Sequence, residues 1–340
     1  MNTLSFSQKA LTSINSYLKR AETNALAIGV IFKNGEVGHF TSDGISLSSR
    51  FDIGSISKTF TAQLILGLVS EGKISLDDTA DVYLSLPKGK YPTVTQLLTH
   101  TAGYGHLTPA EITVPHLLKS RYIRKNLYRN VKREDVIAAL SRRNHTKMSN
   151  RYGYSDFAYA VLALIAEAVT GRPFHELLDE LIQSEYGLSD TEAYPTNPRV
   201  DTYLGKKPIE AWKWDRENPY IAGGGVVSTL EDMIKYCSIQ LKDKSERILL
   251  AQTVHIPSFS EGSNIGTCLG WHTYKSSDQL WHVGGVGAFR SSMIANRRQR
   301  MAVIVLGNAK GGRSANVHYL AKLIYSELKR KKIRLSLPSQ

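Results

Sequence analysis

Serine and lysine recur in S-x-x-K spacing along this chain, at Ser16/Lys19, Ser55/Lys58, Ser70/Lys73, Ser85/Lys88 and Ser326/Lys329. Residues three apart share one face of a helix. The amine can then orient the hydroxyl or take its proton, as nucleophilic catalysis requires. Ser55/Lys58 differs from the rest in its context. Phe51-Asp-Ile-Gly-Ser-Ile-Ser-Lys-Thr-Phe60 passes through turn-prone Asp52 and Gly54 into an apolar run, Thr59 to Val69, that reads as a buried helix. Ser55 then sits in the first turn, where unsatisfied N–H groups and the positive end of the helix dipole stabilise developing negative charge. The other pairs occupy amphipathic, turn or charged-tail stretches and read as solvated. Taken alone, Ser55 fits a helix cap as well as a nucleophile.

Two later stretches carry further chemistry. Tyr154-Ser-Asp156 opens a second apolar helix, Phe157 to Val169, stopped by Gly171 and Pro173. A phenol is inert near neutral pH but becomes a usable base beside a cation; a core aromatic is the plainer reading. His282-Val-Gly284, followed by Gly285, begins on a short predicted strand, Leu280 to Val283. There the histidine reads as structural, and the glycines relieve a bulge or admit another backbone. Ala222-Gly-Gly-Gly-Val-Val-Ser-Thr229 lacks the preceding strand and trailing lysine of a phosphate cradle. Its Ser228 or Thr229 caps a helix beginning near Glu231.

These residues need a frame to position them. Met1 to Arg20 reads as an amphipathic helix, and Ala25 to Phe32 and Glu36 to Thr41 as strands joined by an Asn34-Gly35 turn. A helix covers Phe174 to Gln183. The last third adds strands at Ala288 to Ala295 and Met301 to Leu306, then a helix from Asn316 to Leu328 and a basic tail, Lys329 to Lys332. Hairpin first, helices in the middle, meander and helix last predicts an α+β sandwich. Its antiparallel sheet is flanked by helices and formed by both termini, with a mostly helical domain inserted. The expected division is 1–52 with 205–340 for the sheet domain and 53–204 for the helical one, the active site lying at their interface.

A length of 340 residues, 42% of them hydrophobic, supports one large or two modest domains with a sizeable core. Against 30 acidic residues stand 43 basic ones, a net +13 that favours anionic surfaces, although solvated basic faces with no specific partner are the plainer explanation. The excess concentrates in 119–151, where Lys119, Arg121, Arg124, Lys125, Arg129, Lys132, Arg133, Arg142, Arg143, Lys147 and Arg151 interleave with Tyr122 and Tyr128. No nucleic-acid recognition fold accompanies them, so an exposed lid over a site, or contact with an anionic polymer, is the favoured reading. Cys237 and Cys268 make neither a disulfide framework nor a ligand cluster, and Cys237 reads as a buried thiol. No window approaches a membrane span. The N-terminus lacks the apolar core of a signal peptide, so the chain as written is expected to be cytoplasmic, with export of a longer precursor as the alternative.

In order, Ser55-Ile-Ser-Lys58, Tyr154-Ser-Asp156 and His282-Val-Gly284 resemble the three motifs of the serine β-lactamase and penicillin-binding-protein superfamily, specifically its class C β-lactamase/DD-peptidase/esterase branch. Leu76-Asp77-Asp78, Leu97-Leu98-Thr99-His100-Thr101-Ala102-Gly103, the Tyr154 to Leu162 stretch, Val169-Thr170-Gly171 and Gly224 to Thr229 resemble that branch's framework segments. The resemblance implies that Ser55 attacks a carbonyl and becomes acylated. It implies that Lys58 polarises Ser55 and shares its proton with Tyr154, which protonates the leaving group and later activates water. The N–H groups of Ser55 and Gly285 would form the oxyanion hole. The His282 to Gly285 strand would pair with an extended substrate, Gly284 and Gly285 leaving it unobstructed. His100 and Thr101 fall in a supporting loop.

Two departures shape the expected substrate. The second motif usually ends in asparagine, whose amide donates and accepts. Asp156, when ionised, only accepts; it should hold Lys58 cationic and repel a carbonyl oxygen, which suits esters or a substrate bearing a cation. The third motif carries His282 where many β-lactamases carry lysine, and histidine is charged only below about pH 6.5 unless perturbed. The leading expectation is therefore an acyl-serine hydrolase of a small ester, amide or D-amino-acid peptide, acting with no cofactor or metal. A β-lactamase and a protein that binds β-lactams or peptides without turnover are the alternatives.

Overall fold

The computed structural model describes residues 2–19, 24–105, 126–143, 151–204, 206–257, 259–260, 263–274, 277–309 and 316–336. Strands from both ends of the chain build its main sheet. β1 (Asn2–Ser5), β2 (Leu26–Ile31) and β3 (Val37–Thr41) come early. Two small pairs follow, β4 (Arg50–Asp52) with β7 (Val227–Thr229) and β5 (Thr202–Leu204) with β6 (Lys207–Ile209). β8 (Ile265–Thr267), β9 (His272–Tyr274), β10 (Ser277–Val286), β11 (Phe289–Asn296), β12 (Met301–Gly307) and β13 (Arg334–Leu335) complete the order β13-β1-β3-β2-β12-β11-β10-β9-β8.

The central strand explains its own sequence. β2, Leu-Ala-Ile-Gly-Val-Ile, is buried at every position because both faces of the sheet are covered. Leu26, Ile28 and Val30 pack with Ile14 and Tyr17 of helix Gln8–Leu18 and with Leu320 and Ile324 of helix Val317–Lys329. Ala27 and Ile31 face the larger core.

Some elements depart from expectation. The N-terminal helix begins only at Gln8, because Ser7 caps it by accepting from the Ala10 N–H at 3.2 Å. The residues before it form β1, which runs parallel to β3 and antiparallel to β13, so this edge of the sheet is mixed. β10 continues to Val286, beyond the expected end at Val283. The helix from Phe174 ends at Asp179 and widens into a π turn, Glu180–Glu185. Thr229, rather than Ser228, caps helix Leu230–Lys242. Cys237 and Cys268 are free and buried.

Two helices pass through the interior. Helix Ser57–Ser70 buries residues all round, and helix Asp156–Thr170 buries Phe157 to Ala166 without a break. A helix apolar on every side belongs in a core, where each buried Leu or Ile stabilises by about 1.5–3 kcal/mol. Ser155 caps the second helix and Gly171, at φ 68°, ends it. Among the described residues no single helix is long and apolar enough to cross a membrane.

Candidate active site

Ser55 lies in a 3-10 turn, Gly54–Ile56, immediately before helix Ser57–Ser70 and so just outside the α-helical turn expected for it. Gly54 takes φ 54°, a left-handed conformation that favours glycine. The turn is held from two sides. The Ser57 hydroxyl donates to the Gly54 carbonyl at 2.6 Å and accepts from the Val226 N–H at 3.1 Å. From the sheet, the Ser291 hydroxyl of β11 donates to the Ile53 carbonyl at 2.6 Å.

Lys58 is fully buried, with 0% exposure. Its Nζ donates to Asp156 Oδ1 at 2.6 Å, to the Gly223 carbonyl at 2.6 Å and, more weakly, to Ser55 Oγ at 3.5 Å. Burying an ammonium costs several kcal/mol, which only close partners offset. The Asp156 carboxylate and the Gly223 carbonyl are those partners. Asp156 Oδ2 accepts from the Tyr128 hydroxyl at 3.3 Å. Tyr128 in turn stacks on Tyr220, with centroids 4.4 Å apart and planes 3° apart, and its carbonyl accepts from Asn218. Both oxygens of Asp156 are thus engaged within the protein, one by Lys58 and one by Tyr128. Tyr128 was legible only as part of a basic, aromatic stretch; no local spacing couples it to Asp156.

Tyr154 brings the third group. Its ring centroid lies 4.9 Å from Lys58 Nζ and 4.5 Å from the His100 ring, with His272 at 6.2 Å and His282 at 6.5 Å. His282 is buried, and its Nδ1–H donates to the Val283 carbonyl at 2.9 Å. Burial, then the neighbouring His272 and Lys58, hold this ring well below the ordinary histidine range. Burial and Lys58 likewise lower His272 to about 3, and burial with Lys322 lowers His318 to about 4. A charge on the His282 ring is thus disfavoured by its surroundings, the perturbation that residue type alone does not show.

A pH dependence of stability follows. An ordinary histidine takes up its proton near pH ~6.5, and the unfolded chain allows this at His272, His282 and His318 whereas the folded chain resists it. Below that pH the unfolded state binds more protons, so stability falls as pH falls towards the lowered folded values. Urea midpoints should therefore drop between about pH 7 and about pH 5, and His318→Asn should lessen the drop. Equal midpoints would show that the rings accept protons while folded.

The third motif also supplies an edge. β9 pairs with β10 through Ser277, Leu280 and Trp281, and among the described residues Val283 to Val286 have no strand partner on that side. Val286 and Phe289 close a two-residue hairpin, so by the alternation of an antiparallel ladder the next pair, Gly285 and Arg290, directs its N–H groups outward. A side chain on Gly54 would start 2.6 Å from the Gly285 nitrogen, which shows how closely the serine turn approaches this N–H. Gly284 has a different reason to be glycine. A Cβ there would lie 1.9 Å from the Ile53 carbonyl oxygen and 2.2 Å from Ser291 Oγ, so its bareness serves the serine turn rather than a substrate. Arg290, which spacing did not single out, brings Nη1 within 3.4 Å of the Cβ position of Gly285.

Of the basic stretch 119–151, Lys119, Arg121, Tyr122, Arg124, Lys125 and Lys147 lie outside the described residues. Helix Arg133–Ser141 buries Val136, Ala139 and Leu140, while Lys132, Arg133 and Arg142 are exposed and Arg133 pairs with Glu167 at 2.7 Å. Among the described residues, no group of three or more His, Cys, Asp or Glu could hold a metal ion.

The architecture that carries this site has known counterparts. An octameric penicillin-binding protein homologue from Pyrococcus abyssi shares the fold with a TM-score of 0.76, over 95% of this chain and 77% of that one, at 22% identity. The large sheet flanked by helices is accordingly that of penicillin-binding proteins and β-lactamases. Within that class the chain belongs to the Beta-lactamase family, whose family model matches residues 19–326. Protein flp of Staphylococcus aureus is 26% identical over 321 residues, 87% of this chain and 59% of that protein. The putative penicillin-binding protein PbpX of Bacillus subtilis is 26% identical over 283 residues, 78% of this chain and 66% of that protein. The chain spans about 59% of the length of the first of these curated relatives.

Proposed function

We propose that this chain is a serine hydrolase of the class C β-lactamase/DD-peptidase/esterase branch, cleaving a small ester or amide through an acyl-enzyme. The observation that carries the reading is a fully buried ammonium, Lys58, placed 3.5 Å from the partly exposed Ser55 hydroxyl and 4.9 Å from the Tyr154 ring centre. In this reading Ser55 Oγ attacks the substrate carbonyl carbon while its proton passes to the Tyr154 oxygen, deprotonated beside the Lys58 ammonium. The carbonyl electron pair moves onto oxygen and is held by the N–H groups of Ser55 and Gly285. Collapse expels the alcohol or amine with a proton from Tyr154, and a water deprotonated by Tyr154 then releases the acid and restores Ser55. The open edge from Val283 to Val286 pairs with the extended part of the substrate.

Esters are the better substrates for two reasons. Asp156 offers no donor to a carbonyl oxygen, and neutral His282 offers no charge to a substrate carboxylate. Asp156→Asn retains an acceptor for Lys58 and gains a donor. It should raise kcat/KM on an amide or lactam relative to the matched ester by about tenfold, the range of one hydrogen bond. An unchanged ratio would place Asp156 out of reach of the substrate.

The reading is tested by intact-protein mass spectrometry after incubation with a penicillin and, separately, with a short-chain activated ester, on the parent and on Ser55→Ala. A Ser55-dependent adduct or turnover is expected; neither on the parent would overturn the reading. A penicillin adduct that persists without turnover would instead identify a β-lactam-binding protein.

A further inference from the structure

His100 adopts a conformation that few residues of its kind adopt. It follows helix Val94–Leu98 at φ 60°, in the left-handed region, at a cost of roughly 1–2 kcal/mol for a residue with a side chain. From there it bonds twice to one short segment. Its carbonyl accepts from the Gly153 N–H at 2.7 Å, and its ring Nδ1 accepts from the Ser155 N–H at 3.1 Å. The residue between those two N–H groups is Tyr154, and the His100 ring lies 4.5 Å from the Tyr154 ring. Accepting at Nδ1 places the proton of the neutral ring on Nε2. The segment is tied at its far end as well. Ser155 Oγ accepts from the Ala158 N–H at 3.2 Å, and the Tyr159 hydroxyl donates to the Leu98 carbonyl at 3.0 Å.

We propose that His100 is the positioning residue for Tyr154. Its carbonyl and its imidazole nitrogen grip the backbone on either side of the tyrosine and fix the phenol against Lys58 and Ser55. The proposal rests on the acyl-enzyme reading. A loop tie needs one bond at any convenient point; here a strained backbone, a bond on each flank and a ring contact all converge on one residue. The side chain is 3% exposed, so water does not compete for the Ser155 N–H. Displacement of a catalytic group by about 1 Å can lower a rate about 100-fold, which is the scale of effect this clamp controls.

The test compares His100→Asn with His100→Leu in the full chain. Asparagine Oδ1 falls where histidine Nδ1 does, and asparagine tolerates the left-handed region. Leucine fills a similar volume with no acceptor. Acylation of Ser55 by the activated ester is followed in single turnovers and at steady state. His100→Asn should stay within about threefold of the parent, and His100→Leu should lose about 100-fold in kcat with KM within about threefold. In a Tyr154→Phe background the two should become equal, because a clamp on Tyr154 has nothing left to position. Equal rates for folded Asn and Leu variants, or a Leu penalty that persists without the Tyr154 hydroxyl, would overturn the proposal. If circular dichroism shows that His100→Leu does not fold, His100→Gly replaces it under the same expectations. A parent that never acylates Ser55 would overturn the acyl-enzyme reading and this clamp together, whereas an acylating parent with no Asn–Leu difference would overturn the clamp alone.

Discussion

Lys58→Ala leaves Ser55 in its turn and lowers acylation of that serine by about 10³- to 10⁴-fold, the contribution of a positioned proton-transfer group together with the charge beside it. The serine turn does not depend on the lysine, since it is held by Ser57, Val226 and Ser291. The substitution also has a stability component. Removing one partner of a buried ion pair costs about 3–5 kcal/mol when the other is left dry. The Asp156 side chain, however, is 19% exposed and keeps Tyr128, so it recovers water and the loss should be smaller. Lys58→Met separates the two components, because methionine fills the space without charge. Stopped-flow acylation and thermal melts on both variants provide the check. Equal, severe losses of acylation with a native-like melt are expected. Acylation by Lys58→Met within tenfold of the parent would make the lysine a structural residue.

Gly284→Ala, one methyl group on a strand, should rival that loss. The added Cβ would stand 1.9 Å from the Ile53 carbonyl oxygen and 2.2 Å from Ser291 Oγ, and neither neighbour is the end of a flexible chain. The backbone of β10 or the serine turn must move, and the Ser291–Ile53 hydrogen bond must part. Overpacking of this kind costs about 1–3 kcal/mol or more. Retreat of β10 also draws the Gly285 N–H away from Ser55, and loss of one oxyanion donor lowers kcat by about 10²- to 10³-fold. Gly285→Ala is the control: its Cβ would first meet the flexible Arg290 side chain, at 3.4 Å, so it should leave stability nearly intact. If Gly284→Ala melts with the parent and acylates at the parent rate, the serine turn does not depend on this contact.

How much of this was legible before any coordinates depended on how local its cause was. The helix after Ser55, the helix after Tyr154 and the Asn34-Gly35 hairpin are written in consecutive residues, and all three stand where periodicity and turn chemistry placed them. β1 was illegible because its four residues are held by β3 and β13, the latter more than three hundred positions away, and resemble the start of the helix they precede. The end of β10 was hidden by its glycines, which carry no strand signal although the ladder to β11 continues through them. At the site, type and spacing left Ser55 and Tyr154 with plain structural readings, and the ordered resemblance of three motifs is what picked out Ser55, Lys58 and Tyr154. The neutrality of His282 could not be read from sequence, because it arises from burial beside His272 and Lys58, and Tyr128 reaches Asp156 from a segment that reads only as basic.

The pairing of β2 with β12 also governs the order in which the protein can take shape during synthesis. Leu26 to Ile31 lies against Met301 to Gly307, so an apolar strand made early waits for its central neighbour for on the order of tens of seconds at cellular translation rates. A lone hairpin of β2 and β3 is marginal in water, and until then its apolar edge invites wrong pairing. The interior helices have no such delay, since Ser57–Ser70 and Asp156–Thr170 can meet as soon as both have emerged. Ser291, which holds the Ser55 turn to the sheet, arrives near the end. A chain released from the ribosome before β11 and β12 would therefore carry Ser55, Lys58 and Tyr154 in full and still lack the sheet contact that holds the Ser55 turn.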